Sequence, residues 1–94
     1  MKVVWTSGAL QDRLDIWDYI AADKPSAAAR MDQLFSDAAE GLASFPDLGK
    51  DGMVPGTREL LVHVNYRLVY EIASDTVWIL TLVHTSQLWP PLRG

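Results

Sequence analysis

The residues best equipped for chemistry lie in the second half of the chain, within GTRELLVHVNYRLVYEI (56–72) and the apolar run that follows it. Arg58 and Arg67 stand among alternating apolar residues, Tyr66, Tyr70 and Glu71 are close by, and His84 ends the last run. Cleaving RNA at a 2′-hydroxyl needs a general base, a general acid and cations that stabilise a charged phosphorane. Arg58, Arg67, His84 and Glu71 offer those roles, provided the fold brings them together. The same residues also have plain structural uses. Arg58 and Glu59 can decorate strand ends, Arg67 and Glu71 can form a same-face pair, and His84 can simply finish a strand.

Other chemistries fare worse on spacing. His63 and His84 are the only histidines and there is no cysteine, so neither a zinc motif nor a disulfide framework is present, and no metal or cofactor is expected. Ser86 lies two residues from His84, but no nucleophile-elbow glycine pattern accompanies it. DLGKDG (47–52) is too short for a phosphate loop and does not join a strand to a helix, so it reads as a turn. The formal net charge is −4, and all of it sits in residues 1–49, where four basic side chains face eight acidic ones. A phosphate-backbone binder ordinarily presents a clustered basic surface. The N-terminal apolar run ends too soon for a signal peptide or a membrane helix, so a cytoplasmic protein with no membrane partner is expected.

The elements that must position these side chains follow from apolar period. With 94 residues, 49% of them hydrophobic and four of them tryptophans, the chain is expected to fold as one domain spanning 1–94. KVVW (2–5) reads as an opening strand. Ser7 is the expected N-cap of a helix over about 8–22, whose Leu10, Leu14, Trp17 and Ile20 or Ala21 recur at helical spacing. Pro25 starts a second helix, about 26–43, with Met31, Leu34, Phe35, Ala38 and Leu42 as its stripe. Three glycines and two prolines make 44–56 a loop. The period then drops to 2, giving strands at about 58–63, 66–72 and 77–84, with turns at Val64–Asn65 and Ser74–Asp75. Tyr66, Leu68, Tyr70 and Ile72 share one face of the middle strand; Arg67, Val69 and Glu71 share the other. The expected fold is α+β, an N-terminal strand and a helical hairpin packed on a small twisted antiparallel sheet in the order β-α-α-β-β-β, its far face open.

IWDYIAADKPSAAA, FPDLGKDG, VPGTREL, YRLVYEI and VWILTLVHTSQLWP, in that order along nearly the whole chain, resemble the RelE/ParE superfamily of bacterial type II toxins. The resemblance implies the same fold and a growth-inhibiting toxin, associated with plasmid stabilisation and neutralised by a cognate antitoxin in a toxin–antitoxin hetero-oligomer. Its ParE-type branch inhibits DNA gyrase; its RelE-type branch cuts mRNA on the ribosome. In the nuclease pattern Arg58, Arg67 and His84 match catalytic positions. However, TSQLWPP lacks the tyrosine expected after the last strand, and no lysine pair marks the second. The ParE-type reading is therefore favoured, as a non-catalytic gyrase inhibitor, with metal-independent RNA cleavage as the alternative. Arg58, Arg67, Trp89 and Arg93 are then the expected target contacts, since Arg and Trp commonly anchor interfaces. Ile16, Trp17 and Tyr19 cannot all face the sheet from one helix, so they mark the expected antitoxin surface.

Overall fold

A computed structural model describes residues 1–91. Its elements are β1 (Lys2–Trp5), α1 (Ser7–Ala21), α2 (Pro25–Ser44), β2 (Lys50–Asp51), β3 (Arg58–His63), β4 (Tyr66–Ala73) and β5 (Thr76–His84). They form one sheet in the order β1-β5-β4-β3-β2, with the helical hairpin on one face. The three late strands and both two-residue turns match the sequence reading. Ser74 takes a positive φ of 56° in the second turn, the left-handed conformation that such tight hairpins call for.

The sheet is mixed, whereas a wholly antiparallel one was expected. β2 to β5 pair antiparallel, but β1 runs parallel to β5, in the register Lys2↔Thr76 to Trp5↔Ile79. A period of 2 assigns residues to faces and carries no information about strand direction or partner. The loop expected at 44–56 also contributes the short strand β2, which pairs through Lys50↔Glu59 and Asp51↔Arg58.

The core lies between the hairpin and the sheet. Phe35 and Leu42 of α2 pack with Tyr66, Leu68 and Tyr70 of β4 and with Val77 and Ile79 of β5. Phe35 meets Tyr66 edge-on, with centroids 5.6 Å apart. On the opposite face Val69 and Val83, on the alternate pleat and outside that cluster, are buried as well.

Rotation of α1 about its axis decides which side chains are free. Its cap is Thr6, one residue before the expected Ser7. The Thr6 hydroxyl accepts from the Ala9 amide at 3.2 Å and donates to the Ile79 carbonyl at 2.9 Å, so one side chain both starts the helix and joins it to β5. Arg13 then reaches α2, donating to the two Asp32 carboxylate oxygens at 2.6 and 3.0 Å while stacking 4.7 Å over the Trp5 ring. On the other side Asp12 accepts from the Leu82 amide at 3.2 Å and from the Thr81 hydroxyl. With 100° per residue, these anchors turn Ala9, Ile16 and Ile20 inward. Leu10 and Leu14, read as part of the core-facing stripe, are instead 47% and 59% exposed, and Trp17, expected at the antitoxin surface, is 38% exposed.

Tyr70 fastens the long loop to the sheet. Its hydroxyl donates to the Pro46 carbonyl at 2.6 Å and accepts from the Gly49 amide at 2.9 Å. The chain passes so close there that a Cβ on Gly49 would lie 2.8 Å from the Tyr70 ring and 2.9 Å from the Glu59 carbonyl. Burial, before any other cause, pushes the Tyr70 phenol above its ordinary 10.0, and burial followed by the nearby Tyr19 does the same to Tyr66. A raised folded-state value means that the unfolded chain ionises first. The contribution of these two phenols is therefore fully present below about pH 10 and is lost as pH rises through the folded values. Tyr70→Phe should lower stability by about 1–3 kcal/mol at neutral pH, because the Pro46 carbonyl and the Gly49 amide lose their partner. Its melting temperature should also decline less steeply than wild type above about pH 10, a difference a calorimetric pH series will read.

Candidate functional site

The structure separates the three residues that RNA cleavage would need to converge. Arg58 pairs across the ladder with Tyr70 and so projects on the helix side of the sheet. There its guanidinium donates to the Gly49 carbonyl at 2.6 Å and lies 3.6 Å from the Asp47 carboxylate. Arg67 projects from the opposite face, where it donates to Glu59 at 3.0 Å. Glu59 is only 5% exposed and also accepts from the Met53 amide at 2.9 Å, so this carboxylate is fully committed within the fold. The expected Arg67–Glu71 pair is not formed. Four residues along a strand span about 13 Å, whereas Glu59 is a diagonal neighbour on the adjacent strand.

His84 lies on the helix side, opposite Tyr66, with the rings edge-on and centroids 5.1 Å apart. Its Nδ1 accepts from the Ser86 amide at 3.0 Å and lies 2.6 Å from the Ser86 hydroxyl oxygen. An amide can only donate, so in the neutral ring the proton resides on Nε2. Arg58, Arg67 and His84 thus occupy different faces or ends of the sheet, and both arginines are engaged by their own chain. Among the described residues, no three metal-ligating side chains come together.

A groove of about 650 Å³ lies elsewhere, between α1 and the segment that follows β5. Asp12, Asp15 and Tyr19 line one wall; His84, Leu88 and Trp89 line the other. Sequence reasoning placed Trp89 at a target contact, and the structure puts it at this groove. Its indole Nε1 is buried and, like Arg67 Nε, has no hydrogen-bond partner among the described residues. Arg93, the fourth expected target contact, lies outside the described residues.

The expected antitoxin trio is also divided. Ile16 packs against the core, Trp17 is on the outer flank with Leu10 and Leu14, and Tyr19, 78% exposed, points to the groove. Two residues along a helix are 200° apart, so Trp17 and Tyr19 cannot serve one contact. Sequence reasoning missed Asp12 and Asp15 as groove residues and took Leu10 and Leu14 for core. The rival stripe Ala9–Ile16–Ile20 was the available signal.

Comparison with known proteins places the chain in a family. Residues 3–89 match the family described as the ParE toxin of the type II toxin–antitoxin system parDE. A putative toxin, Y4kP, of Sinorhizobium fredii is 40% identical over 90 residues, covering 95% of this chain and 93% of the relative. Toxin RelE2 of Caulobacter vibrioides is 39% identical over 88 residues, covering 93% and 98%. Among solved structures, a chain of the chromosomal ParDE system from P. aeruginosa superposes with a TM-score of 0.78 at 23% identity, covering 89% of this chain and 95% of its own. A YoeB/ParE toxin from Agrobacterium tumefaciens gives a TM-score of 0.63 at 20% identity, covering 89% and 98%. At such identities the superpositions bear on the fold, which they share. The family match and the two sequence relatives carry the assignment: the chain belongs to the ParE toxin family and is the toxin of a type II toxin–antitoxin pair, with a cognate antitoxin as its partner.

Proposed function

We propose that this toxin acts in the cytoplasm as a binding inhibitor of DNA gyrase, without turnover, cofactor or metal, and that its antitoxin silences it. The separation of Arg58, Arg67 and His84 carries the reading, because a cleavage mechanism requires cation, base and acid within reach of one phosphate. The acidic balance of the chain supports it. The 39% identity to a toxin named RelE2 keeps ribosome-dependent mRNA cleavage as the second reading. The antitoxin is assigned to the outer stripe of α1, Leu10, Leu14 and Trp17, whose spacing suits the apolar face of a partner helix. Gyrase is assigned to two places on the chain, Arg67 on the far face of the sheet and Trp89 at the groove beside α1. Arg58 is tied to Gly49 and serves the loop.

Titrating purified toxin into a gyrase supercoiling assay tests the reading. Inhibition should saturate with toxin concentration and should not deepen with incubation time at a fixed substoichiometric dose. Arg67→Ala adds a discriminator. It should change the half-inhibitory dose by no more than about tenfold once the folded fraction is accounted for, whereas loss of a charge-stabilising group in RNA cleavage costs about 10²–10³ in rate.

A further inference from the structure

The two edges of the sheet are built differently. At one edge β2 is only two residues long, both of them exposed and charged, and β3 behind it has an irregular register between Leu61 and His63. Short strands, charges and bulges are the usual protection of an edge against pairing with another chain. Among the described residues β1 ends the sheet on the other side, and past Lys2 it has none of these devices. Val3, Val4 and Trp5 carry no charge, no proline or glycine interrupts them, and they pair with β5 in unbroken register.

The pairing with β5 fixes what the free edge offers. The Lys2 amide donates to the Asp75 carbonyl at 3.3 Å and the Thr6 amide to the Ile79 carbonyl at 3.0 Å. The even-numbered residues of β1 thus face β5, and by alternation Val3 and Trp5 turn their N–H and C=O groups outward, about 6.7 Å apart. Side chains alternate across the sheet. Val3 and Trp5 pack against the core, so Val4 lies on the far face beside Trp78, its register partner, which is 36% exposed. The strand is also held firmly, because the Thr6 hydroxyl ties its end to Ile79 and the Arg13 guanidinium stacks on the Trp5 ring.

This edge is complementary to itself. When two copies run antiparallel about a twofold axis at Val4, each Val3 stands opposite the other copy's Trp5, and each such pair exchanges both of its N–H···O bonds. The two Val4 side chains then meet at the close, non-hydrogen-bonded position on the far face, with a Trp78 ring on either side, and cover apolar surface that a single copy leaves wet. Lys2 falls opposite Thr6, so no like charges are opposed. We propose that β1 pairs antiparallel with β1 of a second copy of this toxin, joining the two sheets into one. The pairing is independent of the gyrase reading.

The test uses toxin freed of its antitoxin. Sedimentation equilibrium should show the mass rising from 10.5 kDa towards twice that value as concentration increases, and the Val3 and Trp5 amides should exchange more slowly in NMR as it does. The chain has no cysteine, so Val4→Cys introduces a single thiol, with the two Cα atoms about 4.5 Å apart and within disulfide reach. Under mild oxidation it should cross-link about tenfold or more faster than Leu61→Cys, a more exposed position on the same face. Val4→Lys should weaken association by about tenfold or more, since it sets like charges directly opposite; its melting temperature checks folding, and the cysteine pair decides the matter if it unfolds. A single-chain mass at every concentration, equal cross-linking of the two cysteine variants, or Val3 and Trp5 amides that only antitoxin protects would each overturn the proposal.

Discussion

Phe35→Ala should lower the stability of the toxin by about 3–5 kcal/mol, the cost of removing a large aromatic side chain from a packed core. Phe35 is 1% exposed and joins α2 to Tyr66 across the layer boundary. Domains of this size hold about 5–15 kcal/mol in total, so the variant should melt more than about 12 °C lower and populate the unfolded state at growth temperature. Thermal denaturation followed by circular dichroism will measure the drop. Because the loss acts through folding, toxicity should fall with the folded fraction, and antitoxin should partly restore the variant by binding the native state alone. A shift of only a few degrees would mean that α2 contributes far less to the core than its contacts imply.

Trp17→Ala should have the opposite profile. Trp17 stands with Leu10 and Leu14 on the outer flank of α1 and is 38% exposed, so its removal should cost about 1–2 kcal/mol, well below the loss at Phe35 and small enough for the toxin to stay folded. If these three side chains anchor the antitoxin helix, the same substitution should weaken the complex by about 2 kcal/mol or more, roughly 30-fold in Kd. Calorimetric titration of antitoxin into wild-type and variant toxin reads this directly. In cells, the variant should escape neutralisation while keeping its toxicity. Affinity within threefold of wild type would remove the α1 stripe from the interface.

Much of the fold was legible because apolar period is a local signal. Both helices, three of the strands and the two tight turns followed from it, and so did the split of β4 into a core face with Tyr66, Leu68 and Tyr70 and an outer face with Arg67. The parallel pairing of β1 with β5 was not legible, because nothing in KVVW encodes a partner more than seventy residues away. The inward face of α1 was misread for a related reason. Leu10, Leu14 and Trp17 make a good stripe, but Arg13 on Asp32 and Asp12 on β5 set the rotation, and those pairings exist only in the folded chain.

The candidate site shows the same division. Residue types drew attention to Arg58, Arg67 and His84, yet only pairing and pleat reveal that they do not share a surface. The groove at Asp15 and Tyr19 joins α1 to a segment more than sixty residues later, and no local motif announces it.

Gyrase binding, the function proposed for this toxin, and RNA cleavage on the ribosome predict opposite outcomes in a paired assay. The most direct measurement runs a single toxin preparation through two assays in parallel, gyrase supercoiling and mRNA cleavage on translating ribosomes, with antitoxin added back to each. Inhibition of supercoiling that antitoxin relieves, with mRNA intact on the ribosome, is the expected result. Ribosome-dependent cleavage with supercoiling unaffected would contradict it.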